Sequence, residues 1–341
     1  MRRPAGLPIR RKEPTRASIS RRAVVRIEGE RRRKVTSKSI LVTGANGLIG
    51  YAVATELARQ GRSVIGLVRI RPVRDECNFD TYEGDLTDIH RLHSLFKAHS
   101  IDGIIHSAAV SGPMLARDNP YALCLTNIMG TANILETARI NGVRRIVYTS
   151  STAAYGDTPR GPIKEETPLR PKNVYGATKA SSEHLLRAYA VQHNFEGVSL
   201  RIAWVFGPRR RTDCLIRTMI EDALEGRPTR LGWGLGFYRQ YIYVDDVVSA
   251  TIAALDAPSL RQEVYNVTGG TDLTIDQVAE AVHSVLPGAE IHLSPGPDPV
   301  DTIQGEFDIS AIKRDLGFSP CFSLKQGIQA YHRWICKQRA L

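Results

Sequence analysis

A chain of 341 residues, 42% hydrophobic and 24% charged, has the make-up of a globular protein with a sizeable core. No run of about 18 apolar residues is present, so no membrane-spanning helix is expected. Five scattered cysteines (Cys77, Cys124, Cys214, Cys321, Cys336) lack metal-ligand spacing and read as reduced thiols of a cytoplasmic protein without a metal site.

The net charge of +11 invites a nucleic-acid reading until it is located. Residues 1–38 hold 14 basic and 3 acidic side chains, the whole of the excess, so the body is neutral and nucleic acid is not an expected partner. Residues 1–37 carry Arg-Arg pairs and prolines with little periodicity, the pattern of a disordered basic tail. An organelle transit peptide and a nucleic-acid arm both fit its composition. A dispensable extension is the preferred reading.

Ser39-Ile-Leu-Val-Thr43 reads as a buried strand, followed at once by Gly44-Ala-Asn-Gly47-Leu-Ile-Gly50 and a helix over Tyr51–Gln60. Three glycines between strand and helix make a tight turn and bring backbone N–H groups toward a pyrophosphate at the helix N-terminus. The next strand, Ser63–Val68, ends at Arg69, a cation where an NAD-selective site places an acid, so the cofactor reads as NAD or NADP with a lean to NADP. Tyr82-Glu-Gly-Asp85-Leu86 closes a third strand, where Asp85 is placed to meet an adenine amino group. Asp102–Ser107 is a near-continuous apolar strand, and the small residues Ser107, Ala108 and Ala109 allow close approach to a cofactor. A long helix over Pro120–Asn141 and a strand over Arg145–Ser151 complete a β-α alternation. That order predicts an α/β fold, a doubly wound parallel sheet of Rossmann type over 38–205, with a smaller α/β substrate lobe over 206–341 whose chain partly returns to the first domain.

Asn173–Asn194 reads as a helix on which Tyr175 and Lys179 share one face. A phenol titrates near ~10 in water, and an ammonium beside it favours the phenolate, which makes a usable base near neutrality.

Thr43-Gly-Ala-Asn-Gly-Leu-Ile-Gly50, Asn127-x-x-Gly130-Thr131, Thr149-Ser-Ser151, Tyr175-x-x-x-Lys179 and Arg201-x-x-x-Val-Phe-Gly-Pro208 stand in one order along residues 38–338. Together they resemble the extended short-chain dehydrogenase/reductase family, the NAD-dependent epimerase/dehydratase group. The resemblance implies a nicotinamide cofactor held by Gly44, Asn46, Gly47, Leu48, Ile49, Gly50, Arg69, Asp85, Leu86, Ser107, Ala108, Ala109, Asn127, Tyr175 and Lys179. It further implies Tyr175 as the proton-exchanging group, Ser151 as a second contact to the substrate oxygen, and Lys179 as the holder of the ribose. A homodimer through the two long helices is a further implication.

The substrate half departs from that pattern. Trp204 stands where relatives that bind UDP-sugars carry Asn, and Asp298, with Asp301 nearby, falls where they carry Arg. A diphosphate would be repelled there, although Arg239 before Tyr241–Asp246 does match the family. Trp204, Arg239 and Ser151 are therefore the expected substrate contacts. Thr152-Ala153 replaces the Asp-Glu pair of dehydratases, which disfavours sugar dehydration. Arg209–Thr212 reads as a solvated charge run more readily than an anion hook, and Gly232–Tyr238 as a glycine-rich aromatic loop. Helices are expected over Thr212–Gly226, Val244–Leu255, Thr274–Leu286 and Leu324–Lys337, with a strand at Glu263–Val267. The expected activity is NAD(P)-dependent hydride transfer at a carbinol carbon of a sugar, sugar acid or polyol. The alternatives are a nucleotide-sugar 4-epimerase with retained NAD and a non-catalytic cofactor-binding protein.

Overall fold

The computed structural model describes residues 38–70, 77–112, 115 and 118–340. The basic N-terminal stretch lies outside them.

In chain order the first half runs β1 (Ser39–Thr43), α1 (Leu48–Arg59), β2 (Val64–Val68), β3 (Asp80–Glu83), α2 (Ile89–Ala98), β4 (Ile101–His106), α3 (Pro120–Cys124), α4 (Gly130–Ile140), β5 (Arg145–Ser151), α5 (Val174–His193) and β6 (Glu196–Ile202). The second half holds β7 (Trp204–Phe206), α6 (Leu215–Leu224), β8 (Thr229–Leu235), β9 (Tyr238–Arg239), β10 (Tyr241–Tyr243), α7 (Val244–Asp256), β11 (Val264–Val267), β12 (Leu273–Thr274), α8 (Ile275–His283), β13 (Ile291–Pro295), α9 (Ser310–Leu316) and α10 (Leu324–Arg339).

Seven parallel strands form one sheet in the order β11-β6-β5-β4-β1-β2-β3. The chain builds outward from β1 through β2 to β3, then crosses over to β4 and proceeds the other way. The C-terminal ends of β1 and β4 therefore flank the crevice in which such sheets bind ligands. All five residues of β1 are buried, as expected for a strand covered on both faces. Its side chains alternate: Ile40 and Val42 pack with Val53 and Leu57 of α1, and Leu41 packs with Leu92 and Leu95 of α2 and Ile134 of α4. Each fully buried side chain of this kind contributes about 1.5–3 kcal/mol.

Past β6 the chain leaves the sheet and comes back. Helix α7 packs on α1, and β11 adds the outermost strand beside β6. Arg145 on β5 is fully buried. It donates to the Leu255 carbonyl at the C-terminal end of α7 (2.8 Å) and to Glu196 (2.6 Å), tying the returning helix to the sheet. The smaller lobe pairs β8 with β13, β7 with β10 and β9 with β12. Helices α8 and α10 both begin with reciprocal capping boxes, Thr274/Gln277 and Ser323/Gln326. The Ile328, Tyr331 and Ile335 stripe of α10 is buried.

Several elements differ from the sequence expectation. The Gly232–Leu235 part of the supposed loop is strand, within β8. Its glycines disguised it, while the register shift opposite Leu293/Ser294 and the positive φ of Gly234 (107°) explain why glycine is used there. Helix α1 starts at Leu48 rather than Tyr51, and α6 at Leu215 rather than Thr212. The long helix from Pro120 is interrupted by a π-turn at Leu125–Met129.

Candidate active site

Glycines make the floor of the crevice. Gly44 has φ +67°, and a Cβ there would lie 2.8 Å from the Ala108 Cα. At Gly50 a Cβ would lie 2.3 Å from the Gly44 oxygen and 2.7 Å from the Ser107 Oγ. Only glycine lets the β1–α1 and β4 loops approach this closely. Ser107 donates to the Thr43 carbonyl (2.7 Å) and the Ala108 N–H donates to the Thr43 hydroxyl (3.1 Å), which clamps the two loops. The N-cap of α1 is Gly47 and carries no side-chain cap, and its first turn holds no acid. The open N–H groups and helix dipole there suit a pyrophosphate. Asn46 donates to the Ile70 carbonyl (2.8 Å), while its own Oδ1 is buried without a protein partner. A glycine cradle and an uncapped helix end thus fit a dinucleotide.

The other expected cofactor residues make the following contacts within the protein. Leu48 and Ile49 pack against the core from the first turn of α1. Arg69 sits exposed just past β2. Asp85 uses Oδ1 on the Thr87 N–H (2.9 Å) and hydroxyl (2.8 Å), a local turn. Leu86 is buried, filling the space that the missing Gly130 side chain leaves, and Ala109 is half-buried past β4. Asn127 is turned into the protein. The π-turn aims it inward, it is 2% exposed, and its amide is committed to both backbone groups of Val110 (2.8 and 3.1 Å) and to the Thr178 hydroxyl (3.0 Å). It holds the loop after β4 against α5.

Asn173 caps α5 through the Gly176 N–H (2.8 Å) and starts it one residue before Val174. Tyr175 and Lys179 are both buried on the face turned to β5. Burial pushes the Tyr175 phenol up; hydrogen bonding with Ser111 and Ser151 and the charge of Arg210 oppose it. Arg210 thus joins Lys179, four residues along the same helix, as a cation near the phenol. Ser111 Oγ lies 3.5 Å from the Tyr175 hydroxyl. Lys179 donates to the Thr149 carbonyl (2.7 Å), and its ammonium lies 4.8 Å from the Tyr148 ring centre and 5.8 Å from that of Tyr175. Loss of water drives its pKa down to about 7, with Glu183 opposing.

Ser151 ends β5 and accepts from the Ala153 N–H (3.2 Å). Its neighbours face elsewhere: Ser150 donates to Glu183, and Thr152 is buried. Glu183 was missed, although the spacing from Lys179 places it one turn further along the same face. It is 5% exposed and takes Arg201 through both oxygens (2.7 Å to Nη2). His106 is held between the Thr43 and Thr131 hydroxyls (2.7 and 3.0 Å) and kept neutral, with burial driving its pKa down to about 3.

On the substrate side Trp204 stands at the start of β7, and Arg239 lies 4.5 Å from its ring centre. Arg239 is not free. Nη2 meets Asp298 (2.5 Å), Nε meets Asp301 (2.9 Å), and Nη1 reaches the Tyr241 hydroxyl (3.4 Å).

Fold and crevice define a dinucleotide-binding α/β protein carrying a tyrosine–lysine pair of dehydrogenase type. Residues 40–268 match the NAD dependent epimerase/dehydratase family, and the chain belongs to it. It is 29% identical over 311 residues to a UDP-glucuronate 4-epimerase of Thermodesulfobacterium geofontis, covering 86% of this chain and 95% of that one. Among solved structures it resembles the UDP-glucose 4-epimerase of Thermotoga maritima with UDP-glucose (TM-score 0.82, 27% identity, 88% and 99% of the two chains). It also resembles that of Thermus thermophilus in complex with NAD (0.79, 29%, 87% and 99%). The expected lean to NADP finds no support among these.

Proposed function

We propose that this chain is an enzyme that uses a nicotinamide dinucleotide to move a hydride at a carbinol carbon of a sugar. The burial of Tyr175 and Lys179 beside Ser151, at the strand ends that open onto the glycine cradle, carries the reading. Gly44, Gly47, Gly50 and the first turn of α1 would hold the pyrophosphate, and Lys179 the adjoining ribose. A nicotinamide bound there would supply the two-electron hydride chemistry.

The chain's own part is proton handling and positioning. The Tyr175 oxygen takes the hydroxyl proton as the carbinol becomes a carbonyl and returns it in the reverse step. Ser151 and Ser111 would share the oxygen on which charge builds. Trp204 would pack against the sugar. A buried Tyr175 and Lys179 with Ser151 and Ser111 at the phenol favour catalysis over mere cofactor binding.

Relatives named 4-epimerases favour a second form of the same chemistry, in which the hydride returns to the same carbon from the other face. NAD is the better supported dinucleotide, since a solved neighbour carries it, and Arg69 is the residue that a 2′-phosphate would meet. The five cysteines, read as reduced thiols, favour a cytoplasmic setting. A homodimer is favoured by Tyr121, Leu125 and Met129, exposed at four-residue spacing, and by Val174 and Val191 of α5.

The test incubates the NAD-loaded protein with candidate sugars and follows reduced-nicotinamide absorbance alongside product NMR. Stoichiometric NADH indicates a net oxidoreductase. Conversion with unchanged absorbance indicates an epimerase. Neither signal with any sugar would sink the proposal.

A further inference from the structure

Trp204, Tyr238, Arg239, Gln240, Asp301 and Thr302 line a small cavity that reaches back to Thr152, next to Ser151. Its only arginine is fully engaged. The three nitrogens of Arg239 are each committed, to Asp301, Asp298 and Tyr241. The guanidinium is 4% exposed, and each carboxylate 11%.

Both acids are held in place by the backbone. Asp298 accepts from the Val300 N–H (2.8 Å) and Asp301 from the Thr302 N–H (2.9 Å). The aromatic rings of Trp204, Trp233 and Phe237 surround the same guanidinium at 4.5 to 5.6 Å. One positive charge therefore meets two carboxylates. Even if Asp301, whose pKa burial raises, kept its proton, the cluster would be neutral. With both carboxylates ionised the set is negative, and with one ionised it is neutral, so Arg239 is already matched by charge within the protein.

What the cavity does offer is unmet hydrogen bonding. Gln240 Oε1 and Thr302 Oγ1 are buried without a partner, in residues 5% and 6% exposed. The Gln240 amide nitrogen is already used on the Gly305 carbonyl (3.4 Å), so what remains is an acceptor seeking a donor. A substrate hydroxyl can meet both Gln240 Oε1 and the Thr302 hydroxyl, whereas a phosphate oxygen can meet only the Thr302 hydroxyl, by accepting from it.

We propose that the pocket beyond Ser151 takes an uncharged, hydroxyl-rich group, a sugar or polyol without a nucleoside diphosphate, and that Asp298 and Asp301 exclude the diphosphate by occupying Arg239. This names the substrate class of the hydride transfer proposed above and rests on that reading. It also sets the chain apart from the Thermotoga maritima epimerase, solved with UDP-glucose.

The test is calorimetric titration of the full-length, NAD-loaded protein with UDP and UDP-glucose. Wild type is expected to give no saturable heat with either up to millimolar concentration. The Asp298→Asn/Asp301→Asn variant, checked for folding by circular dichroism, frees Arg239 and is expected to bind UDP at least about tenfold more tightly. Micromolar UDP binding by wild type overturns the proposal. So does a folded variant as blind to UDP as the parent.

A second measurement needs no variant. Bound NAD is expected to be reduced, or sugar to be interconverted, with free D-glucose or D-galactose and not with UDP-glucose. The reverse pattern overturns the exclusion alone and leaves hydride transfer standing. No turnover of either class counts against hydride transfer itself.

Discussion

Glu183→Gln isolates the buried charge behind the catalytic helix. Glu183 and Arg201 are each 5% exposed, and they are joined by three contacts of 2.7 to 3.1 Å. Removing one partner of such a pair leaves an uncompensated charge in a dry site, a loss of about 3–5 kcal/mol. The second Arg201 arm, on the Glu165 carbonyl (2.8 Å), and its position 4.6 Å over the Tyr155 ring soften this toward the lower end. Urea denaturation reads the loss. A double variant with Arg201→Met should recover much of it, because the orphaned charge is gone.

The same substitution acts on Lys179. Its ammonium faces Glu183, Tyr148 and Tyr175, with His106 close enough to feel its charge, and titrates near 7. Glu183 is the one opposing charge. Any rate that needs the charged lysine is therefore present below about pH 7 and lost above it, and without Glu183 the loss moves to lower pH. Unchanged stability together with an unchanged pH profile would refute both steps of the reasoning.

Three further outcomes are expected. Gly50→Ala drives a Cβ to 2.3 Å from the Gly44 oxygen, so it should cost about 1–3 kcal/mol and weaken NAD binding, read by thermal melts and by titration. Gly232→Ala, with nothing within 4 Å, should stay within about 0.5 kcal/mol of the parent in the same melts. His106 should show no NMR titration across roughly pH 5–8, because burial holds it neutral far below that window.

The parallel sheet was legible because its strands are short apolar runs punctuated by glycine turns, as at Ser39–Gly50. Tyr175 and Lys179 were legible because helical spacing puts them on one face, and the same spacing also exposes Glu183 once Lys179 is taken as the reference. Contacts between distant parts of the chain were not. Arg239 meets Asp298 and Asp301 from about 60 positions away, and only the folded lobe brings them together. The acidic stretch was expected to repel a diphosphate, but its occupation of Arg239 was invisible. Nothing in Leu125–Met129 announces a hydrogen-bond slip of one residue, so the burial of Asn127 could not be read from it. Strand β8 hid behind glycines that serve a bulge.

The most direct measurement is single-turnover reduction of bound NAD by a turned-over sugar in wild type and Tyr175→Phe. Tyr175→Phe keeps the ring and its packing and removes only the oxygen proposed to exchange the proton. A fall in rate of about 10²–10⁴-fold with cofactor affinity retained is the predicted result. An undiminished rate would contradict the assignment of Tyr175 as the proton-exchanging group.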